Sequence, residues 1–314
     1  MRKKNIRKQL LKICAFIFAV IAFPSITTML MNGKMPQRIY SAGTSGKYVV
    51  VTTGGITENL DVEDFIPCAV MGQLSIDNDE ELLKSFAVIM RTYILSAMGN
   101  ETSIPSEKLN IPYVTYDEME KLWGDNFPDN YNKLMKIVSD TSLVTITLNG
   151  ELIAPYYHSV SAGKTRAGTE VMGEDFAYLC SVSCPDDTSS PDYFKAYYYS
   201  NEEFAVKVRA IDENISIDNA SPLETLQIIS RDSAGYVLNM SIGGISIDGT
   251  KFYEAMQINS PSFMIEEYDG GVRITTYGTG HGMGVSLNYA ASLAAGGSSY
   301  IEILHYFYTN TEIK

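Results

Sequence analysis

A run of nineteen uncharged and mostly apolar residues follows a basic N-terminus and divides the chain into two unequal parts. It covers residues 13–31 and reads ICAFIFAVIAFPSITTMLM. At about 1.5 Å per residue, a helix of this length crosses a bilayer core about 30 Å thick. Residues 1–12 hold six bases and no acid, and positive flanks stay in the cytoplasm. The pattern predicts a cytoplasmic segment over 1–12, a single-pass transmembrane anchor over 13–31 and an extracytoplasmic remainder.

A cleaved signal peptide is the alternative interpretation of the same apolar run. No clear small-x-small cleavage site follows the run, which favours an uncleaved anchor. Residues 32–46 contain Pro36 and the stretch SAGTSG, a composition typical of a flexible linker. Residues 47–314 are then the extracytoplasmic domain.

The composition excludes some classes of protein for that domain. The whole chain has 24 Lys and Arg against 37 Asp and Glu, which gives a net charge of −13. Because six of the bases lie in residues 1–12, the rest of the chain is more acidic than the chain as a whole. A nucleic-acid-binding domain should be basic, so no nucleic-acid partner is expected. Four cysteines are too few for a disulfide scaffold of this length, so the fold depends on a packed core.

The first half of the domain shows a strand, a helix and a hairpin. Residues 48–53 read as a strand that ends at Gly54-Gly55. Residues 79–98 have apolar side chains at helical spacing, and Asp77, Asn78 and Asp79 are the capping candidates for the start of this helix. Residues 143–157 alternate apolar and polar side chains around Asn149-Gly150, which is typical of a two-residue hairpin turn.

The second half of the domain reads as strands followed by helices. Strand signals dominate residues 225–276, and helical patterns return at 288–295 and 300–308. Turns are predicted at Ala234-Gly235, Asp248-Gly249 and Gly270-Gly271. Since strands and helices do not alternate as βαβ units, the sequence predicts an α+β fold with a mixed, mainly antiparallel sheet.

Glycines at every second position mark residues 278–284, which read GTGHGMG between a predicted strand and a predicted helix. A dinucleotide-binding loop has the same surroundings but requires the spacing G-x-G-x-x-G. That spacing is absent here. The segment is therefore not interpreted as a nucleotide site, although His281 within it is a candidate functional residue.

Four segments, in chain order, resemble one family. They are LKSFAVIMRTY at residues 83–93, YHSVSAGKT at 157–165, GHGMGVSLNYA at 280–290 and YIEILHY at 300–306. These resemble the stage II sporulation protein D family, which includes the amidase enhancer LytB, and the likeness covers about residues 48–310. The family implies a single N-terminal anchor, an external domain and lytic transglycosylase activity on peptidoglycan glycan strands.

The resemblance also implies one glutamate that serves as acid and base, and this chain lacks it. The corresponding segment reads AVMGQLS at residues 69–75, and the family's spacing of eleven residues to the lysine that matches Lys84 puts Gln73 at the glutamate position. A carboxylic acid can give and take a proton near neutral pH, whereas an amide cannot. The Gln73 amide can still donate a hydrogen bond to a glycosidic oxygen, so glycan binding is expected to outlast catalysis.

Another carboxylate could replace the missing acid. The candidates near in sequence are Glu63, Asp64, Asp77, Asp79 and Glu80. Their alternative roles are helix capping and solvated loop charge. A serine–histidine nucleophile is a further alternative for the segments around His158 and His281, but no third member of a triad can be placed.

The candidate glycan-binding side chains come from the segments that resemble the family. They are Arg91, His158, Ser159, Ser161, Lys164 and His281. For Arg91, an ion pair that orients the predicted helix is the alternative.

Cys180 and Cys184 leave three alternatives open. The pair could form a short disulfide, remain as thiols or bind zinc together with His158. The family resemblance requires no cofactor, so zinc is the one cofactor considered.

Three functions are compatible with these observations. The first is a membrane-anchored protein that binds peptidoglycan glycan strands and has lost most catalysis. The second is an active lytic transglycosylase with a displaced acid. The third is a scaffold or enhancer of a cell-wall amidase, acting with other sporulation membrane proteins, as the resemblance implies.

Overall fold

The structure is a computed structural model and describes residues 44–314. The predicted cytoplasmic segment, the predicted anchor and most of the predicted linker lie outside the described residues. Among the helices of residues 44–314, none combines the length and the apolar character needed to cross a bilayer.

Helices occur in both halves of the described chain. The α-helices are α1 Val62–Met71, α2 Glu80–Met98, α3 Ser106–Leu109, α4 Tyr116–Trp123, α5 Phe127–Asp140, α6 Gly168–Val171, α7 Asn201–Arg209, α8 Gly249–Met256, α9 Leu287–Ala295 and α10 Tyr300–Phe307. Short 3-10 helices cover Gly124–Asn126, Glu174–Phe176 and Pro185–Ser189.

The strands are short and lie between the helices. They are β1 Tyr48–Thr53, β2 Ile56–Asp61, β3 Ser103–Pro105, β4 Ile146–Leu148, β5 Glu151–Leu152, β6 Tyr157–His158, β7 Phe194–Tyr199, β8 Leu226–Arg231, β9 Val237–Ile242, β10 Ile245–Asp248, β11 Phe263–Tyr268, β12 Gly271–Tyr277, β13 Val285–Ser286 and β14 Glu312–Ile313.

These strands form several small sheets rather than one large sheet. The strand orders are β2-β1-β3, β14-β4-β5, β13-β6, β11-β12-β7 and β10-β9-β8. Within residues 44–314, only the pairs β1–β3 and β6–β13 run parallel, and the other pairs are antiparallel. The predicted α+β class with mainly antiparallel pairing is confirmed.

Two hydrophobic cores divide the described chain into two lobes. The first core surrounds α2, where Phe86, Val88 and Ile89 are fully buried, and it includes the C-terminal helices α9 and α10. The second core belongs to residues 194–277, which carry β7–β12, α7 and α8 and are called the second lobe here. The first lobe is formed by the chain on either side of this insertion.

Several predicted elements of the first lobe are confirmed. The helix predicted over residues 79–98 is α2, and the carboxylate of Asp79 caps it by accepting from the Glu81 N–H at 2.8 Å. The hairpin around Asn149-Gly150 joins β4 to β5, with φ of 53° and 87° at the two turn residues. Both positive φ values match the turn type that favours Asn-Gly.

The turn predicted at Asp248-Gly249 is wrong, because these two residues start α8. The Asp248 carboxylate accepts hydrogen bonds from the N–H groups of Thr250 and Lys251, as an N-cap does. A Cβ at Gly249 would overlap the carbonyl of Val237. The glycine is therefore explained by close packing on β9 and not by a turn.

Candidate functional site

Two of the family-like segments lie side by side in the structure. The pairing of β6 with β13 places Tyr157 opposite Val285 and His158 opposite Ser286. A further backbone bridge joins Val160 to Thr279. As a result, the rings of His158 and His281 come within 5.8 Å of each other, measured between centroids. Histidines 123 positions apart in the sequence therefore share one site.

The alternating glycines allow this close approach. Gly280 has a φ of +106°, and a Cβ there would lie 2.7 Å from the Cβ of His158. Gly284 has a φ of +67°, and a Cβ there would overlap the carbonyl of Tyr156. Both positions need a left-handed backbone and no side chain. The glycines at these positions are thus required by the close packing of residues 280–284 against Tyr156 and His158.

Both histidine rings are hydrogen-bonded to the backbone of Met283 and are kept neutral by burial. The His158 Nδ1–H donates to the Met283 carbonyl at 3.0 Å, and the Met283 N–H donates to His281 Nδ1 at 3.0 Å. Burial lowers the pKa of His158 to about 4. Burial, followed by the neighbouring His158 and Arg166, lowers the pKa of His281 to about 3. Neither ring therefore carries a charge at neutral pH.

The Nε2 atom of His158 is a buried acceptor without a hydrogen-bond partner among the described residues. Since Nδ1 carries the proton, Nε2 presents a lone pair. His281 has the opposite arrangement, because its Nδ1 accepts a hydrogen bond and its Nε2 therefore carries the proton. His281 is hydrogen-bonded to the backbone of Tyr157, so of the two rings only His158 keeps an unused polar atom, a buried acceptor.

Asp187 fixes the two histidine segments to each other. Its fully buried carboxylate accepts hydrogen bonds from the Ser161 N–H at 2.8 Å, the Ser286 hydroxyl at 2.7 Å and the Asn288 amide at 2.9 Å. Ser161 is itself fully buried, so its place is in this network. Asp187 is not identifiable from the sequence, since no local motif marks an aspartate whose partners are 26 to 101 residues away.

A pocket of about 610 Å³ opens beside His281. Its aromatic walls come from Tyr93, Tyr156 and Tyr157, and residues at the C-terminal end of α2 complete it with Asn110 and Ile111. The ring of Tyr156 meets His281 edge to face at 5.6 Å. No Asp or Glu is among the lining residues. The pocket therefore offers ring surfaces and neutral polar groups, but no carboxylate for acid catalysis.

Gln73 lies in the turn that follows α1, outside the lining of this pocket. It is half-buried, and within residues 44–314 its side-chain amide makes no hydrogen bond. The adjacent Gly72 packs so closely on Pro112 and Tyr113 that a Cβ there would overlap the Pro112 carbonyl. Because residues 110 and 111 line the pocket, the backbone that supports Gln73 continues directly into the pocket wall.

Arg91 is fully buried on α2 and is paired with Glu63 of α1. The guanidinium donates from Nε to one Glu63 oxygen at 2.6 Å and from Nη2 to the other at 2.7 Å. Its Nη1 donates to the Val144 carbonyl at 3.1 Å. Neither side chain is exposed. Arg91 therefore forms the helix-orienting ion pair given above as the alternative, and no part of its side chain is accessible to a ligand.

Ser159 and Lys164 lie at the surface next to the histidines. The Ser159 carbonyl accepts from the Asn288 N–H at 3.0 Å, and its side chain is exposed. The Lys164 side chain is also exposed, and its carbonyl accepts from the Tyr236 hydroxyl at 3.2 Å. Of the predicted binding residues, the structure therefore groups Ser159, Ser161 and His281 around His158, with Lys164 at the margin.

The two cysteines do not join His158. Cys180, Cys184 and Cys68 are all free thiols. The structure therefore has no disulfide between Cys180 and Cys184. Cys180 is exposed beside Thr309, whereas Cys184 is buried, and burial raises its pKa to about 12. Within the described part of the chain, no three His, Cys, Asp or Glu side chains are grouped to hold a metal ion. Zinc binding stays a prediction without geometric support.

The carboxylates near α1 have structural partners. Glu63 pairs with Arg91, Asp79 caps α2, and Asp77 lies in an exposed turn with Ser75. Asp79 and Asp77 have the capping and surface roles that the sequence offered as alternatives, whereas Glu63 is fully buried and has neither role. Their arrangement gives no support to a displaced acid among these three.

Comparison with known proteins confirms the resemblance indicated by the four segments. The chain is similar to proteins named stage II sporulation protein D from Bacillus amyloliquefaciens and Bacillus subtilis, each 26% identical over 84% of this chain and 77% of the relative. An uncharacterized protein of Brachyspira hyodysenteriae is 26% identical over 82% of this chain and 68% of its own length. No family model matches the chain.

The neutral histidines predict an acid-sensitive fold. In the unfolded chain His158 titrates near pH 6.5, but in the folded chain near pH 4. Between these values the unfolded state binds a proton that the folded state does not, so stability falls as the pH falls, by up to about 1.4 kcal/mol per pH unit. Urea unfolding midpoints measured across this pH range should show the slope.

The variant His158→Asn tests whether His158 contributes this slope. Asparagine can still donate to the Met283 carbonyl, but it does not titrate. We expect the variant to be less stable at pH 7 and its stability to fall less steeply with pH. An unchanged slope would contradict the assignment of His158 as a neutral buried ring.

Proposed function

We propose that this chain is a cell-wall protein of sporulation that binds peptidoglycan glycan strands and cleaves them poorly or not at all. The observation that carries the proposal is the pocket beside His281, whose aromatic walls and neutral polar groups suit sugar rings. The similarity to stage II sporulation protein D supports the choice of peptidoglycan as the ligand.

Gln73 supports the second half of the proposal. An amide stands at the position where the resemblance places the catalytic glutamate. Loss of a general acid costs about 10² to 10⁴ in rate, and a residue that acts as both acid and base puts the loss toward the upper end. Neither histidine is poised to protonate a leaving group at neutral pH, because burial keeps both rings neutral.

The proposed location follows from the apolar run. Residues 13–31 would anchor the chain in the cell membrane, residues 1–12 would stay in the cytoplasm, and residues 47–314 would meet the cell wall outside it. A tethered domain searches only the nearby wall, so moderate affinity for glycan suffices for stable attachment.

The test is a binding and product assay with the full chain. We expect it to bind denuded glycan strands and to release no detectable anhydromuramyl ends. Ala97→Trp should abolish binding, because Ala97 is exposed at the pocket and a large ring there obstructs it without disturbing the core. Ala255→Trp, also exposed but in the second lobe, is the matched control and should bind normally.

Two results would contradict the proposal. Release of anhydromuramyl ends at an ordinary enzymatic rate would favour an active enzyme with a displaced acid. Absence of glycan binding in a folded chain would favour the scaffold or amidase-enhancer function.

A further inference from the structure

The second lobe exposes an aromatic sheet face that the pocket does not include. The strand pairings of β7, β12 and β11 place Phe194 opposite Tyr277, Tyr198 opposite Arg273 and Tyr268 opposite Gly271, all on one side of the sheet. Phe194 and Tyr198 are 59% and 60% exposed. The opposite side carries Ile274 and Val272 into the second core. The exposed side is called the tyrosine face here.

Two groups of rings lie on the tyrosine face. Tyr198 and Tyr268 have their centroids 5.4 Å apart, and Phe194 and Tyr277 are 6.1 Å apart. Phe194 and Tyr198 are four residues apart on one strand, so the groups are separated by about 13 Å at about 3.3 Å per residue. One sugar ring cannot touch both groups, whereas an extended chain of sugars can.

The charges on this face are satisfied internally. Arg273 donates to Glu266 at 2.9 Å and lies over the Tyr268 ring at 4.4 Å from its centroid. An arginine that is already paired with a carboxylate and an aromatic ring does not demand a charged partner. The face therefore matches a ligand that presents flat, uncharged surfaces flanked by hydroxyl and amide groups.

The tyrosine face adjoins the glycine segment along the chain. Strand β12 ends at Tyr277, and the next residue opens the glycine segment that carries His281. The Gly278 N–H donates to the Tyr193 carbonyl at 2.6 Å, and the Tyr193 ring packs 5.9 Å from Tyr277. Tyr277 and His281 are four residues apart, so their Cα atoms are at most about 14 Å from each other, a distance that a few linked sugars can span.

We propose that the tyrosine face is a second binding region for the same glycan strand, which stacks its sugar rings on the two aromatic groups after leaving the pocket. This inference rests on the proposed glycan binding. It adds a length requirement: only a strand that spans the pocket and the face makes both sets of contacts.

The test compares a short and a long ligand with the full chain. Chitotriose probes the pocket alone, and long denuded glycan strands probe the pocket and the face together. We expect the natural chain to bind long strands more tightly than chitotriose. The double variant Phe194→Ala with Tyr198→Ala should bind long strands about tenfold more weakly, as truncated interface aromatics do, and should keep its affinity for chitotriose.

A matched control separates stacking from general surface effects. Ile229→Ala removes a side chain that is 57% exposed on β8, in a different sheet, and should change neither affinity. An unchanged affinity of the double variant for long strands would overturn the inference while leaving the pocket proposal intact. Failure of the natural chain to bind either ligand would overturn both.

Discussion

The variant Gln73→Glu is expected to cleave glycan strands at least about 10²-fold faster than the natural chain, since that is the lower end of what a general acid contributes. The two side chains are nearly equal in size, so the exchange fits without overpacking. Gln73 is half-buried and its amide makes no hydrogen bond within residues 44–314, so the exchange to a carboxylate breaks no hydrogen bond among these residues. Partial burial should also raise its pKa toward the range of an acid catalyst. Release of anhydromuramyl ends measures the gain.

Two controls define what the gain would mean. Gln73→Asp carries the same acid on a side chain one methylene shorter, and it should stay inactive because proton transfer demands close placement. Gln227→Glu makes the same chemical change on an exposed strand of the second lobe and should also stay inactive. A Gln73→Glu chain that folds, binds glycan and releases no ends would contradict the prediction and show that more than one residue of the site has diverged.

Glu63→Gln is expected to lower the free energy of unfolding by about 3 to 5 kcal/mol, because it leaves the buried Arg91 guanidinium without its counter-charge. Arg91→Met should cost a similar amount by stranding the Glu63 carboxylate. The double variant Glu63→Leu with Arg91→Met removes both charges and keeps most of the packed volume, so it should recover much of the loss. Denaturant unfolding of the three variants measures these differences.

A surface ion pair provides the comparison. Lys136 and Asp140 are 2.7 Å apart and exposed on α5, and Lys136→Gln should cost less than about 1 kcal/mol. Glycan binding by the double variant also decides the role of Arg91. We expect the double variant to retain binding, because Arg91 only joins α1 to α2. Loss of binding in a stable double variant would instead indicate that Arg91 contacts the ligand.

Local patterns in the sequence predict the elements that depend on local physics. The spacing of apolar residues and the capping candidates at residues 77–79 predict α2, and Asn149-Gly150 predicts the hairpin turn, because the causes of both structures lie within a few residues. The return strand of the hairpin is another matter. It ends at Leu152, and Tyr157 and His158 instead pair with β13, a partner more than a hundred residues away that no local pattern specifies.

The candidate site shows the same division. The resemblance places His158 and His281 in functional segments, and the structure brings them together. Two contacts connect segments that are far apart in the sequence. One is the Asp187 network, and the other is the pair of Arg166 Nε with Asp232 Oδ2 at 2.6 Å. Nothing in the local sequence distinguishes either aspartate from a solvated one. The glycine spacing was visible in the sequence, but its cause, the approach of Tyr156 and His158, was visible only in three dimensions.

The second lobe enters and leaves the first at almost the same point, since the backbone of Gly278 is hydrogen-bonded to Tyr193 and the Thr279 hydroxyl to Asp192. The closure at the base does not separate the lobe from the histidines, because the Gly280 N–H donates to the Asn259 carbonyl and the Ala162 N–H donates to the Tyr236 hydroxyl. The pair of Arg166 with Asp232 is a third link between the second lobe and the first. Changes in the length of the lobe are therefore expected in turns away from residues 232, 236 and 259, since a shift of these residues would move the backbone next to His158 and His281.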